Sequence, residues 1–399
     1  MEGLLNSRFT TGNAVDILLN GDEIFPAMLE AIKQARRSIR FVTYVYWQGD
    51  IAETFAEAIA ERARAGVSCH VLLDAYGSLR MRSRLIRTMR EAGAKVCRYN
   101  PFSMTRIPEY QHRTHRKILV CDGEVGFLGG VGIANEWTGH AQDPDHWHDF
   151  HFRVRGPAVE KLAEAFDDNW HSSWTRAKGG GPPEPIVVDR KPDPPASEPP
   201  SVENSGSVGD LDVLVFHSSP EQGRSEAFRA YREMLVSAHT SVRVVTAYLI
   251  PDDGMLKLLR SAVERGVEVE VIAPGKHCDS WLASKNSQAK WACLLEMGVR
   301  IFEYRQTMCH AKATIVDDRI VTVGSINFDM LSLHLNDEAN IVVSSERFAK
   351  EMRAHFERDK SVSSEVTLAE WRERSRWQRL FESTASLFPL PWWGSSCNY

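Results

Sequence analysis

HRKILVCDGEVGFLGGVGIAN, residues 115–135, returns as HAKATIVDDRIVTVGSINFD, residues 310–329. In each copy a His and a Lys stand two apart, an apolar run follows, and an Asp closes it. Residues two apart on a strand project from one face, so each His–Lys pair is aimed together while the apolar run anchors the strand in a core. The paired glycines suit close approach of backbone to a ligand or to a second domain.

The repetition extends outward from these blocks. ARRSIRFVTYVYW (35–47) returns as AHTSVRVVTAYLI (238–250), RARAGVSCHVLL (62–73) as AVERGVEVEVIA (262–273), and EAGAKVCRY (91–99) as EMGVRIFEY (296–304). Four blocks in the same order, offset by about 200 residues, indicate a duplicated domain. Each half alternates helices with continuous apolar strands, which implies α/β domains with helices packed on a central sheet covered on both faces. A duplicated pair places equivalent residues around a pseudo-two-fold axis, with the site at the interface between the domains. The expected division is a first domain over 1–177, a Pro/Gly-rich linker over 178–210, a second domain over 211–365 and a C-terminal tail over 366–399. The tail mixes Arg with Trp, Leu and Phe, the composition of a membrane-interface segment.

Composition narrows the class. The chain has 399 residues, is 43% hydrophobic and 25% charged, and carries a formal net charge of −5. That is a soluble globular profile without the basic excess of a nucleic-acid binder. No apolar run approaches the roughly 18 residues of a membrane span, and the start lacks a signal-peptide pattern. Seven cysteines without a CxxC pair argue for a reducing, cytoplasmic compartment. His140, His146, His148 and His151 lie close in sequence, but HxHxxH puts His151 on the opposite strand face, and we read no metal site there. Cys309, beside His310, points to the other face and is read as packing rather than as a nucleophile.

Two His, two Lys and two Asn are the parts that transfer at phosphorus requires. A nucleophile attacks, an acid on the opposite side protonates the leaving oxygen, and cations and amides hold the phosphate oxygens. Imidazole titrates near neutrality, so one ring can attack while the other carries a proton.

The paired motifs resemble those of the phospholipase D superfamily, whose signature is HxKx4D followed by a Gly-(Gly/Ser) pair and an Asn. The first motif carries its Asn late, at Asn135; the second has Asn327. Blocks such as NGDEIFPAMLEAIKQARRSIRF, WHDFHFRVRGPAV and LLEMGVRIFEY read like bacterial cardiolipin synthases of the branch without transmembrane helices. The resemblance implies two tandem phospholipase D-like domains and a phosphatidyltransferase that makes cardiolipin and glycerol from two phosphatidylglycerols, with no metal or cofactor. His115 would be the nucleophile and His310 the acid and later base. Lys117, Lys312, Asn135 and Asn327 would bind phosphate. Asp149 would orient His115 and Glu338 would orient His310. Asp122 and Asp317 complete the motifs and count with the catalytic residues, as structural or supporting groups. The partners implied are a phospholipid and the inner-membrane surface of a bacterium, met peripherally, with no nucleic acid; the sequence sets no oligomeric state. Hydrolysis by the same site, giving a phospholipase D, is the alternative, ahead of a nuclease and of an idle membrane-binding module.

Overall fold

The computed structural model describes residues 1–399 apart from Asn6, 103–111, 179–207, 221–222, 224 and 375–399. Most of the expected linker and tail therefore lies outside the described residues.

Seventeen strands are described. The first half supplies β1 (Thr10–Leu19), β2 (Ser38–Thr43), β3 (Ser68–Asp74), β4 (Lys95–Tyr99), β5 (Ile118–Cys121), β6 (Val125–Gly129) and β7 (Phe150–Arg155). The second supplies β8 (Leu211–Ser218), β9 (Ser241–Val245), β10 (Leu249–Ile250), β11 (Glu268–Pro274), β12 (Arg300–Tyr304), β13 (Ala313–Val316), β14 (Ile320–Gly324), β15 (Phe328–Asp329), β16 (Glu338–Ser344) and β17 (Ser363–Val366). In each half three strands run parallel through helical crossovers: β2–β3–β4 and β9–β11–β12. The glycine turns before β3 and β11 need left-handed backbone, with Gly66 at φ 88° and Gly266 at φ 87°, which a residue with a Cβ adopts only under strain.

The alternation of helices and apolar strands predicts a central sheet in each half. In the structure the two are joined into one fifteen-stranded sheet, with β1 and β8 antiparallel at the seam. Strands from both halves also pack on one another, and Phe152, Leu162, Val213, Ile315 and Val343 share one buried cluster. The apolar runs HVLL and ILVC are buried throughout, as continuous rather than alternating hydrophobicity requires.

Two expected boundaries shift. The first residues belong to the second half's core: Leu5 packs with Phe216 and Ala227, and Ser7 Oγ donates to the Val215 carbonyl at 2.6 Å. The start of the expected tail is also built in. β17 pairs with β12, and the short helix Leu368–Glu373 sets Trp371 against Trp291, ring centroids 5.1 Å apart.

Candidate active site

β5 and β13 are four-residue, fully buried strands, each running antiparallel along most of the first parallel strand of its own half and beginning at that strand's C-terminal end. The motif His and Lys lie just before them, at that strand's end. His115, Lys117, His310 and Lys312 are 7%, 3%, 5% and 2% exposed. The motif carboxylates are elsewhere. Asp122 and Asp317 follow the far ends of these strands, roughly 16 Å of strand beyond the lysines. Asp122 accepts from the amides of Arg36, Arg37 and Ser38 at 2.8, 2.7 and 2.9 Å. Asp317 does the same for His239, Thr240 and Ser241 at 2.9, 2.7 and 3.0 Å. Both hold the entry to a parallel strand and do not join the histidines.

The histidine-orienting carboxylates are present, but their partners are exchanged relative to the expectation. His115 Nδ1 lies 3.0 and 3.1 Å from the Glu338 oxygens; His310 Nδ1 lies 2.7 Å from Asp149 Oδ2. The cause is backbone pairing across the pseudo-two-fold. The His115 amide donates to the Asp337 carbonyl and the Asp337 amide to that of Arg113, both at 2.9 Å. The His310 amide donates to the His148 carbonyl at 2.7 Å, and the His148 amide to that of Met308 at 2.8 Å. Each half therefore delivers its carboxylate to the other half's ring. A carboxylate only accepts, so a proton on Nδ1 satisfies each contact and turns Nε2 away from it; Lys312 Nζ also lies 2.9 Å from His310 Nδ1 and 3.2 Å from its Nε2.

The carboxylates differ in their further partners. Trp137 Nε1 donates to Asp149 Oδ2 at 2.9 Å, and the Phe150 amide donates to Oδ1 at 2.8 Å. Glu338 accepts instead from Ser325 Oγ. The Gly-Gly and Gly-Ser of the two motifs follow from this. A Cβ at Gly130 would lie 2.3 Å from Asp149 Oδ1, whereas the matching Ser325 supplies a donor. Trp137 also packs edge-on against His310, with Trp147 on the same ring, at centroid distances of 5.1 and 5.6 Å. Tyr44 lies edge-on to His115 at 5.1 Å, with Lys117 Nζ 5.4 Å from its ring centroid.

The two asparagines part company. Asn327 is 3% exposed and its Oδ1 has no hydrogen-bond partner, as a group held for a ligand would be. Asn135 is exposed at the start of a 3₁₀ turn, with Oδ1 3.4 Å from the Ile51 amide. Its assignment to phosphate is corrected. Strand register aligns Gly129 with Gly324 and Ile133 with Phe328, so Gly132 stands where the second half has Asn327. A Cβ there would come within 2.7 Å of Val45 Cβ.

Burial governs the charges. It lowers both imidazoles against the pull of their carboxylates, His310 to about 3 with Lys312 adding to the effect. Burial also lowers both lysines, Lys117 to about 7. For Asp149 burial acts upward, but Lys312 and His310 outweigh it and hold the carboxyl below its ordinary range. Burial pushes the Cys309 thiol well up. Of the clustered histidines, His146 reaches Asp143, His148 lies between Asn20 and Asp359, and His151 is buried with neither ring nitrogen partnered.

Four contributors escape a motif reading: Trp137, Tyr44, Ser325 and Arg116. Arg116 is completely buried and donates to the carbonyls of Ala165, Glu338 and Ser218 and to Ser219 Oγ. Only Ser325 has a sequence signal, the Gly-Ser against Gly-Gly difference.

A family model described as cardiolipin synthase, PLD-like domain, matches residues 28–170 and 231–360. Cardiolipin synthase 1 of Bacillus anthracis is 32% identical over 384 residues, covering 94% of this chain and 73% of its own. A cardiolipin synthase of Staphylococcus aureus is 30% identical over 382 residues, covering 95% and 73%. Among solved structures, phosphatidylserine synthase of Haemophilus influenzae superposes with a TM-score of 0.71 at 14% identity, covering 97% of this chain and 96% of that one, a likeness of fold.

Proposed function

The chain belongs to the cardiolipin synthase family of phospholipase D-like proteins, and from that premise we propose that it converts two phosphatidylglycerols into cardiolipin and glycerol. His115, in the order that the family resemblance implies, attacks the phosphodiester through Nε2. The P–O bond to glycerol breaks, and His310 delivers a proton to the departing oxygen. The phosphatidyl-histidine then meets a second phosphatidylglycerol. His310 takes the proton of its hydroxyl, the new P–O bond forms, and His115 leaves unchanged. Lys117, Lys312 and Asn327 hold the phosphate oxygens.

The single observation that carries this reading is the crossed pair of histidine–carboxylate contacts, which turns two distant motifs into one buried site. Neutral imidazoles suit nucleophilic attack. The arriving phosphodiester anion favours the protonated form of His310, against the burial that depresses it. Burial of the site supports transfer to an alcohol over water. No helix among the described residues is long and apolar enough to cross a membrane. In this proposal the protein meets its substrate as a peripheral protein at the inner membrane of a bacterium.

The test is incubation of purified protein with head-group-labelled and acyl-labelled phosphatidylglycerol, with resolution of the products. Cardiolipin with stoichiometric glycerol is expected, and His115→Ala and His310→Ala should each abolish it. Phosphatidic acid as sole lipid product would replace transfer by hydrolysis. Near-parental turnover in either variant would sink the shared site.

A further inference from the structure

Each catalytic histidine sits at the C-terminal end of its half's parallel strands: Val42 pairs with Ile118, and Val245 with Ala313. The loops that leave these ends surround the site. Asp74, closing β3, accepts from the Thr114 amide at 3.1 Å. Tyr248, after β9, donates to Asp279, after β11. The charges of Asp74 and Asp279, from opposite halves, both act on Tyr44 beside His115.

The exposed large apolar side chains gather on these loops. Tyr76 (52% exposed) and Leu79 (65%) follow β3, Phe102 (59%) follows β4, and Trp281 (61%) follows β11. Among the described residues only Leu4, Val208 and Val236 are comparably exposed elsewhere. Scattered exposed apolar residues need no explanation, but their collection around one site does. Charge adds a second, independent signal. Residues 75–90, AYGSLRMRSRLIRTMR, hold five arginines and no carboxylate in a chain of net charge −5. All five are exposed, while Leu85, Ile86 and Met89 of the helix Ser83–Glu91 are buried. Glu53 pairs with Arg82 and Arg84, Glu136 and Asp145 line a cleft with Arg82, Arg80 lies over the Trp47 ring and Arg90 donates to the Val96 carbonyl; all five guanidinium side chains stay exposed to solvent.

We propose that segment 76–90 and Trp281 form a docking surface for an anionic phospholipid bilayer, set around the mouth of the active site. Leu79 and Trp281 enter the acyl boundary, one from each half, and the arginines meet the anionic head groups. A bilayer is favoured over nucleic acid because exposed Leu and Trp tips gain nothing from a phosphate backbone. The surface also presents the buried histidines to a substrate that need not leave its leaflet. This inference rests on the reading of the substrate as a membrane phospholipid.

The experiment sediments the full chain with phosphatidylcholine vesicles, with or without roughly one third phosphatidylglycerol. It also assays turnover on those vesicles and on dihexanoyl phosphatidylglycerol below its micelle threshold. The parent is expected to sediment with the anionic vesicles alone. Leu79→Ser with Trp281→Ser, and separately Arg84→Glu with Arg87→Glu, should each lower vesicle binding and vesicle turnover roughly tenfold or more. Turnover on the monomeric lipid should stay at the parental level. Parental vesicle binding in either double variant would overturn the docking surface, as would retention on duplex DNA in place of vesicles. Failure of the parent to make cardiolipin from either lipid would instead overturn the transferase reading, whatever the vesicles show.

Discussion

A histidine that works while neutral in a dry pocket depends on what holds its other nitrogen, and here the two holders are unlike. Asp149 has an indole N–H and a backbone amide, whereas Glu338 has a serine hydroxyl. Trp137 is 2% exposed, so its hydrogen bond to the carboxylate acts without competition from water. Replacing it by Phe keeps most of the apolar volume and removes the donor. Losing a donor disfavours the charged form of Asp149, so its pKa rises. The acid limb of the kcat profile should then move to higher pH by about one unit, with kcat lowered about tenfold, as for a lost hydrogen bond to a charged group. KM should hold, because Trp137 acts through Asp149. An unchanged acid limb in a folded Trp137→Phe protein would show that the contact does not tune the pair. That Asp149 and Glu338 are the carboxylates to pair with the histidines is what the family resemblance implies, from the carboxylate that follows each motif. Which serves which is not legible in sequence. Nearness in sequence suggests each half keeps its own, and only the backbone pairing of 114 with 337 and of 148 with 309 crosses them.

At the scale of the element, the motif does more than present a His and a Lys. Its Asp sits in left-handed backbone, φ 57° at Asp122 and 53° at Asp317, a conformation that Asp tolerates better than most residues. From there it gathers three amides at the entry to β2 or β9. One short segment thus builds the hairpin, fixes the neighbouring strand and aims the His–Lys pair. Asp122→Ala should lower stability by about 1–2 kcal/mol, chiefly from the part-buried Ser38 amide left without its acceptor, since water can serve the exposed amides of Arg36 and Arg37. Turnover per folded molecule should stay within about twofold of the parent, since the carboxylate lies a strand length from His115. Urea unfolding with an assay corrected for folded fraction separates the two. A large loss of kcat at undiminished stability would return Asp122 to the chemistry. Strand burial is readable from the apolar runs because a strand covered on both faces cannot alternate. Asn135 follows the Gly pair in the chain but not in the register. The register makes Gly132 the equivalent of Asn327, and the asparagine three residues later has already turned away onto the 3₁₀ segment.

For the whole molecule, crossing joins the two halves through one sheet and a shared core. The sheet runs through the β1–β8 seam, and the first residues of the chain pack into the second half's core. The duplicated blocks announced two units, but no periodicity reports that they share a sheet, because the seam joins strands whose sequences are not near each other. Arg116 sits where the halves meet. Its side chain reaches Ala165 in one half and Ser218, Ser219 and Glu338 in the other. A completely buried guanidinium is tolerated only with its donors placed, and this one is placed on both sides of the interface at once. Arg116→Met keeps the aliphatic stem and strands those acceptors, so stability should fall by about 3–5 kcal/mol. The form of the loss is the sharper test. In the parent, far-ultraviolet circular dichroism and tryptophan fluorescence should trace a single urea transition, as one cooperative unit requires. In Arg116→Met the interface is the first contact to weaken, so the transition should broaden or divide while the Asp122→Ala transition keeps its shape. Two separate transitions in the parent would mean that the halves fold as independent domains. The crossed carboxylates would then be a docking contact between preformed units rather than part of the fold that makes the site.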